Sequence, residues 1–529
     1  MKVSIALIIF IFSLTLLKLG QHITQDEILY YLSAQKVVKG EKCRLPAYSP
    51  HLYLQSLILT FKLFGSNEKT GRIPSIFAIL IALFLIHYII TREGKNKPLA
   101  SLFSLMFLST PLIFQGIFIF TIDTCLLIAT VTLLCIAYLI TFKYNKNYFL
   151  LFFATIIAFW TKVTTPSIIF IILILFTLFS KIQQNQKIKI ITSLLSGLLA
   201  FILTWYIYCK LMDVQFIKPF LYAFGAFKSK THFSSQIINN ILFSALWTGI
   251  FPLVLFALLS IERIKEIFHE KEIIPEDIFL LCGSITFIGY LFTGGAIFGF
   301  PKYQCPSIAL LWIFSAIYLT KRYNNFQKAD KYWIIAISAF LIQFFFIGDL
   351  IYILRYKLRY AMAFELATKP IVIEIFSKLS YYAILIAILL WTYLKFSKEK
   401  AIFSLIYIAL GTNLGIIALQ SKADYHTGYN YGGKGLFDVC RILRNYPEYE
   451  IIAPDEVIYY LGKETYIPDH RWRDTLWICQ KLNKKAILVY SIVSNTIEQI
   501  KTLRKCKKIK NRLKNYKKYE IGSYIIYHF

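Results

Sequence analysis

Charge is scarce in this chain: only 16% of its 529 residues are Asp, Glu, Lys or Arg, while 57% are hydrophobic and 17% aromatic. That shortage excludes long disorder, collagen and coiled-coil rods, and it argues against the several soluble domains that the length alone would allow. Acidic residues are the scarcer sign, 29 against 58 basic, for a net charge of +29. A basic excess of this size points to nucleic acid in a soluble protein. Here no RNA- or DNA-binding motif accompanies it, and the cations cluster in short loops between apolar blocks, where anionic headgroups favour them. No CxxC pair occurs among the nine cysteines, at 43, 125, 135, 209, 282, 305, 440, 479 and 506, so zinc and redox motifs lack support. A disulfide between two of Cys440, Cys479 and Cys506 stays open. No His/Cys cluster asks for a metal, and a divalent ion is left as an open cofactor.

What is present is a series of apolar blocks, with mean hydropathy +0.58. The first, residues 2–19, resembles a signal peptide without the small-residue cleavage pattern, and reads as a retained span. Further spans are expected near 73–90, 99–118, 122–142, 148–161, 165–180, 190–209, 239–260, 278–298, 305–320, 332–353, 371–394 and 401–420, about 13 in all. The fold class expected is therefore an all-α polytopic membrane protein, with a transmembrane domain over 1–420 and a small C-terminal α/β domain over 421–529.

Loop charge sets the orientation. The basic loops TREGKNKP, KYNKN, KIQQNQKIK, IERIKEIFHEKEIIPED, KRYNNFQKADK and KFSKEK fall on one side, the cytoplasmic one by the positive-inside rule. The external regions are then 20–72, 210–238 and the tail, although basic residues in 354–369 run against this scheme. Thr24 and Glu27 have the spacing of a T-x-x-E capping box, and the helix that follows has the pattern of one lying on the membrane surface. In the tail, GYNYGGKGLFDVCRILRNYP reads as a turn followed by a helix, YEIIAPDEVIYYLGKETYI as a strand and a helix, and KKAILVYSIV as a buried strand. The glycines of GYNYGGKG lack the context of a phosphate-binding loop.

Charges beside or within apolar spans are costly and are functional candidates by default. Asp26 and Glu27 follow the first span; capping accounts for Glu27 and leaves Asp26 free for chemistry. Asp123 stands at the mouth of a span, where a helix N-terminus also favours an anion. Lys162 lies at the polar hinge TKVTTP, where snorkelling is the plain alternative, and Lys302 with Tyr303 lies in the short loop GFPKYQCP. Under one topology these positions share the external side. Carboxylates and cations gathered at one leaflet suit a reaction between an anionic lipid-borne group and a neutral hydroxyl or amine.

The order of these elements resembles the GT-C superfamily of polyprenyl-phosphate-dependent glycosyltransferases. It comprises DE after the first span, PAYSPHLYLQSLILTFKLFGSNEKTGRIPSIFAIL, TPLIFQGIFIFTIDTCLLIA, WTKVTTPSIIFI and FPKYQCPSIALL. It is similar to the branch of protein O-mannosyltransferases and of the transferases that place aminoarabinose or galacturonic acid on lipopolysaccharide. The resemblance covers roughly residues 1–320. It implies inverting, extracytoplasmic transfer of one sugar from a polyprenyl-phosphate donor to a lipid or protein acceptor, within membrane lipid and without nucleic acid. It assigns the acceptor carboxylate to Asp26 with Glu27 beside it, the later acid to Asp123, and the donor-phosphate cations to Lys162 and to Lys302 with Tyr303. Arg72, in GRIPS, is a candidate for holding the loop or the donor headgroup. Where relatives carry a K-P-P-L-Y run, this chain has SPHLY; a lysine is missing and His51 stands as its substitute or as a structural hydrogen-bonder. The rival readings are a flippase or transporter, an envelope polysaccharide ligase or polymerase, and a scaffold. The first is disfavoured by the lack of internal repeats, the second by candidate charges that come early in the chain, the third by the cost of the charges themselves.

Overall fold

The computed structural model describes residues 11–15, 18–19, 23, 26–41, 45, 49–119, 124–228, 233–270, 272–293, 300–322, 332–358, 361, 367–395, 397–427, 435–462, 486–491, 518–521 and 524–528. The side chains of Asp26, of 224–236 and of several other positions within these ranges lie outside the description, as do Thr24 and Asp123 altogether.

Helices dominate. Two precede the membrane bundle, α1 (Asp26–Val38) and α2 (Leu52–Phe64). The bundle follows with α3 (Ile73–Gly94), α4 (Lys97–Ser109), α5 (Pro111–Ile117), α6 (Cys125–Tyr144), α7 (Tyr148–Thr161), α8 (Thr164–Phe179) and α9 (Gln184–Met212). It continues through α10 (Lys218–Lys228), α11 (Phe233–Thr248), α12 (Ile250–Glu270), α13 (Asp277–Thr293), α14 (Cys305–Arg322) and α15 (Trp333–Ile342). It closes with α16 (Lys369–Lys395) and α17 (Lys398–Thr427). Among the described residues, seven helices are long and apolar enough to cross a membrane, nine if two bent pairs each count as one span. Every expected span after the first overlaps one of these helices or one of the shorter apolar ones, α7, α8 and α13.

Both breaks have local causes. Thr110 is extended and precedes Pro111, which has no N–H to continue α4, so α4 and α5 meet at 70°. Between α11 and α12 the bend is 96° at Gly249, whose φ of 92° and contact with Asn413 leave no room for a side chain. Close helix crossing recurs at Gly411 and Gly415 of α17. A Cβ on Gly411 would overlap the Ala336 carbonyl of α15, and one on Gly415 would lie 2.8 Å from Gln343 Cβ. Small residues at i and i+4 let two apolar helices approach where no hydrophobic effect drives them together. Gly411→Leu is therefore expected to destabilise the bundle by about 3 kcal/mol, an overpacking cost. Thermal unfolding in detergent would read this, and an unchanged midpoint would count against the crossing.

The two ends of the bundle differ in chemistry. At one end, Lys143 (end of α6) pairs with Glu93 (α3) and lies 2.7 Å from Glu276, which Lys321 (α14) also reaches at 2.7 Å. Burial opposes ionisation of Glu276, yet hydrogen bonds from Lys143 and Lys321 hold its carboxyl below the usual range. Arg263 of α12 grips Asp277 with two bonds of 2.8 Å, and Arg322 pairs with Glu266. These residues belong to, or directly adjoin, the basic loops that the sequence placed on one side. Their contacts with one another show that the loops share one face.

In the tail, α18 (Leu436–Leu443) and α19 (Asp455–Tyr460) pack on a four-stranded sheet of order β1-β2-β4-β3, from β1 (Glu450–Ile452), β2 (Ala486–Ser491), β3 (Lys518–Ile521) and β4 (Tyr524–His528). The β1–β2 pair is parallel, the other pairs antiparallel. The helix, strand–helix and buried strand read from sequence all appear. Cys440 is buried and unbridged; Cys479 and Cys506 lie outside the described residues.

One local expectation changes. Helix α1 does not lie free on a lipid surface: Ile28, Tyr30, Tyr31 and Ala34 are buried in a cluster with Tyr53, Leu57 and Phe61 of α2, and Tyr459 of the tail packs on Tyr31. Its apolar stripe found protein rather than headgroups, because the tail folds back onto it. Sequence period cannot tell these two partners apart.

Candidate active site

At the bundle end opposite the Lys143–Glu276 network, two groups of polar side chains gather. The first is built around two lysines. Helix α7 stops at Thr161, Lys162 is extended, and α8 restarts at Thr164 with Pro166 in its first turn, where a missing N–H costs nothing. The hinge thus leaves Lys162 at a helix junction, with its Nζ 4.1 Å from the centroid of the Tyr303 ring. Lys302, on the short 3-10 turn that leads into α14, places its Nζ 5.7 Å from the same centroid. Tyr303 stacks on Tyr290 at 5.5 Å, and the Tyr290 hydroxyl lies 2.6 Å from Thr165 Oγ1. Two cations from positions 140 apart in sequence thereby share one aromatic ring. Cation–π attraction of about 1 kcal/mol holds each of them without neutralising its charge.

The second group surrounds Arg72, which is fully buried. Its guanidinium donates to the carbonyls of Phe118 (3.1 Å), Leu19 (3.1 Å) and Glu68 (3.0 Å). These carbonyls belong to the segments that lead to Asp123 and to Asp26, and to the turn between α2 and α3. Glu27, 1% exposed, acts electrostatically on Arg72 and on Tyr53, whose hydroxyl lies 3.3 Å from Ser75 Oγ. Arg72 thus joins three separate stretches of chain through their carbonyls. Helix α1 begins at Asp26, and α6 begins just after Thr124. Both acidic segments therefore arrive at this end; Asp123 and the Asp26 side chain lie outside the described residues.

Contacts at His51 lead toward the lysine hinge. His51 Nδ1 lies 2.9 Å from the Tyr208 hydroxyl, which also accepts from Gln55 at 2.7 Å, and the imidazole packs edge-on against Trp205 and Tyr208. Trp160, two residues before Lys162, packs on the same pair. His51 is 2% exposed, which favours the structural hydrogen-bonding role over that of a replacement phosphate ligand.

Sequence reasoning passed over several members. Lys18 is fully buried, bonded to Gln115 of α5, with Phe114 and Phe118 rings 5.3 and 5.1 Å from its Nζ. A lone cation ending an apolar run was the available signal. Tyr290, Glu68 and Tyr460 carried none, since only the fold brings them to the site. Among the described residues, no three His, Cys, Asp or Glu side chains form a metal-holding group.

Comparison with known proteins bears on this geometry. Residues 50–208, which include His51, Arg72, Asp123 and Lys162, match the family model of dolichyl-phosphate-mannose-protein mannosyltransferases. No curated protein matches the chain in sequence. The crystal structure of ArnT from Cupriavidus metallidurans in the apo state superposes with a TM-score of 0.56 at 12% identity, over 100% of this chain and 98% of that one. The chain has the fold of ArnT. The same protein bound to undecaprenyl phosphate also gives a TM-score of 0.56 at 12% identity, over 98% of this chain and 97% of that one. The partial family match and the shared fold both fall on proteins of the kind that the motif order resembles.

Proposed function

We propose that the chain transfers one sugar from a polyprenyl-phosphate donor to an envelope acceptor, a glycolipid such as lipid A or a protein, on the extracytoplasmic face and with inversion. The observation that carries this reading is the meeting of Lys162 and Lys302 over Tyr303, at the bundle end remote from the basic loops. Helix α6, with 20 residues, separates the two ends by about 30 Å, the thickness of the hydrocarbon core. If the basic loops are cytoplasmic, the lysines stand at the outer leaflet. The bound lipid of the ArnT structure, undecaprenyl phosphate, has the donor chemistry proposed.

In this mechanism the acceptor hydroxyl oxygen attacks the anomeric carbon from the side opposite the phosphate. The new C–O bond forms as the bond to the phosphate oxygen breaks, which inverts the centre. The hydroxyl proton passes to Asp26, with Glu27 and Asp123 as the neighbouring acids. The leaving polyprenyl phosphate gains one negative charge, and Lys162 and Lys302 lower the cost of that charge. Residues 1–420 form the catalytic domain and 421–529 an extracytoplasmic domain that packs on the first external loop.

Deleting the gene and comparing envelope glycolipids and glycoproteins by mass spectrometry tests the reading. Loss of one pentose- or hexose-sized increment is expected and names both sugar and acceptor. An unaltered envelope would remove the transferase reading.

A further inference from the structure

One hydroxyl of the tail bonds two segments of the first external loop. Tyr460, at the end of α19, accepts the backbone N–H of Ile23 at 3.0 Å and donates to Glu68 Oε1 at 2.7 Å. Burial, and then the Glu68 charge, push its phenol well above the ordinary range, so it remains a donor throughout the physiological range. The Ile23 N–H lies three residues before Asp26, and the Glu68 carbonyl is one of the three that Arg72 grips. An interlocked turn rigidifies the Glu68 segment: Thr70 N–H donates to Asn67 Oδ1 at 2.9 Å, and Asn67 N–H donates to Thr70 Oγ1 at 3.1 Å. Helix α1 is tied to that turn by Tyr31, whose hydroxyl donates to the Ser66 carbonyl at 3.2 Å. Arg444 Nη2 in turn donates to the Tyr460 carbonyl at 3.0 Å, anchoring the tyrosine in its own domain.

From this geometry we infer that Tyr460 is a positioning residue: the C-terminal domain uses its hydroxyl to fix the segment entering α1, and so sets where the helix presents Asp26. The inference rests on the catalytic reading of Asp26 above. The hydroxyl bridges two chain segments that Arg72 also grips, so its loss frees the entry to α1 while the lysine pair at the α7–α8 hinge and the turn before α14 is untouched. Displacements of about 1 Å at a reacting group cost transfer up to about 100-fold.

The test uses the full-length protein in nanodiscs for physical measurements and a complemented deletion strain for transfer. Tyr460→Phe is expected to raise amide hydrogen exchange over 23–38 while leaving 73–94 unchanged. Modified acceptor per folded molecule should fall about 10-fold, and undecaprenyl phosphate should bind within about 2-fold of wild type. Glu68→Ala removes only the Glu68 half of the bridge, so its exchange should rise less than that of Tyr460→Phe, and the double variant should be no worse than Tyr460→Phe, which already lacks both halves. Unchanged exchange in Tyr460→Phe, raised exchange with normal modification, or multiplying losses in the double variant would each overturn the inference. A wild-type chain that modifies no acceptor would instead remove the transferase reading, and the exchange measurement would still decide whether the hydroxyl fixes α1.

Discussion

Asp26→Asn abolishes transfer, by about 1,000-fold or more, while the protein inserts and folds as before. The expected size follows from removing the group that takes the acceptor proton. Asparagine keeps the shape and the capacity to begin a helix, so α1, which starts at this residue, loses little. Glu27→Gln gives the contrasting result. Its carboxylate is buried, and removing that charge takes from the guanidinium the stronger of the two carboxylates acting on it. A cost of about 3 kcal/mol in stability is expected, with a smaller effect on turnover per folded molecule. Measuring envelope modification beside thermal unfolding for the two variants separates proton transfer from packing. Near-normal transfer by the Asn variant would withdraw Asp26 from the mechanism.

The second large effect belongs to the lysines. Lys162→Met and Lys302→Met each lower transfer by about 100-fold, since either loss leaves developing phosphate charge poorly compensated. Methionine preserves the apolar stem against Tyr303, and the cation–π contacts are worth only about 1 kcal/mol each, so folding changes little. The double variant should also bind undecaprenyl phosphate at least about 10-fold more weakly, a readout independent of the acceptor. Because both cations act on one phosphate, the double loss should fall short of the product of the single ones. Normal lipid binding by the double variant would place the donor phosphate elsewhere.

Much of this site was legible in the chain. Lys162 and Lys302 stood out because an isolated cation in an apolar surrounding is expensive, and a costly residue needs a partner or a task. The structure gave them a common partner in Tyr303. His51 was legible only as a departure from a motif; its hydrogen bond to Tyr208 and its place against Trp205 are contacts that only the fold supplies. Arg72 was readable as a loop holder, yet its grip on the segments leading to both acids was not, because three carbonyls leave no trace in side-chain pattern. Tyr460 was invisible altogether: it lies 392 residues from Glu68, and tyrosines are common in this sequence.

The membrane class, the positions of the spans and the candidate charges followed from the sequence alone, because the cost of placing polar groups in hydrocarbon is paid residue by residue and shows in local composition. The shared ring between two lysines, the arginine clasp on three carbonyls and the contact of the tail with the first loop were decided by the tertiary structure. Such contacts depend on which helix faces meet, and a uniformly apolar helix does not encode its neighbour in its hydropathy.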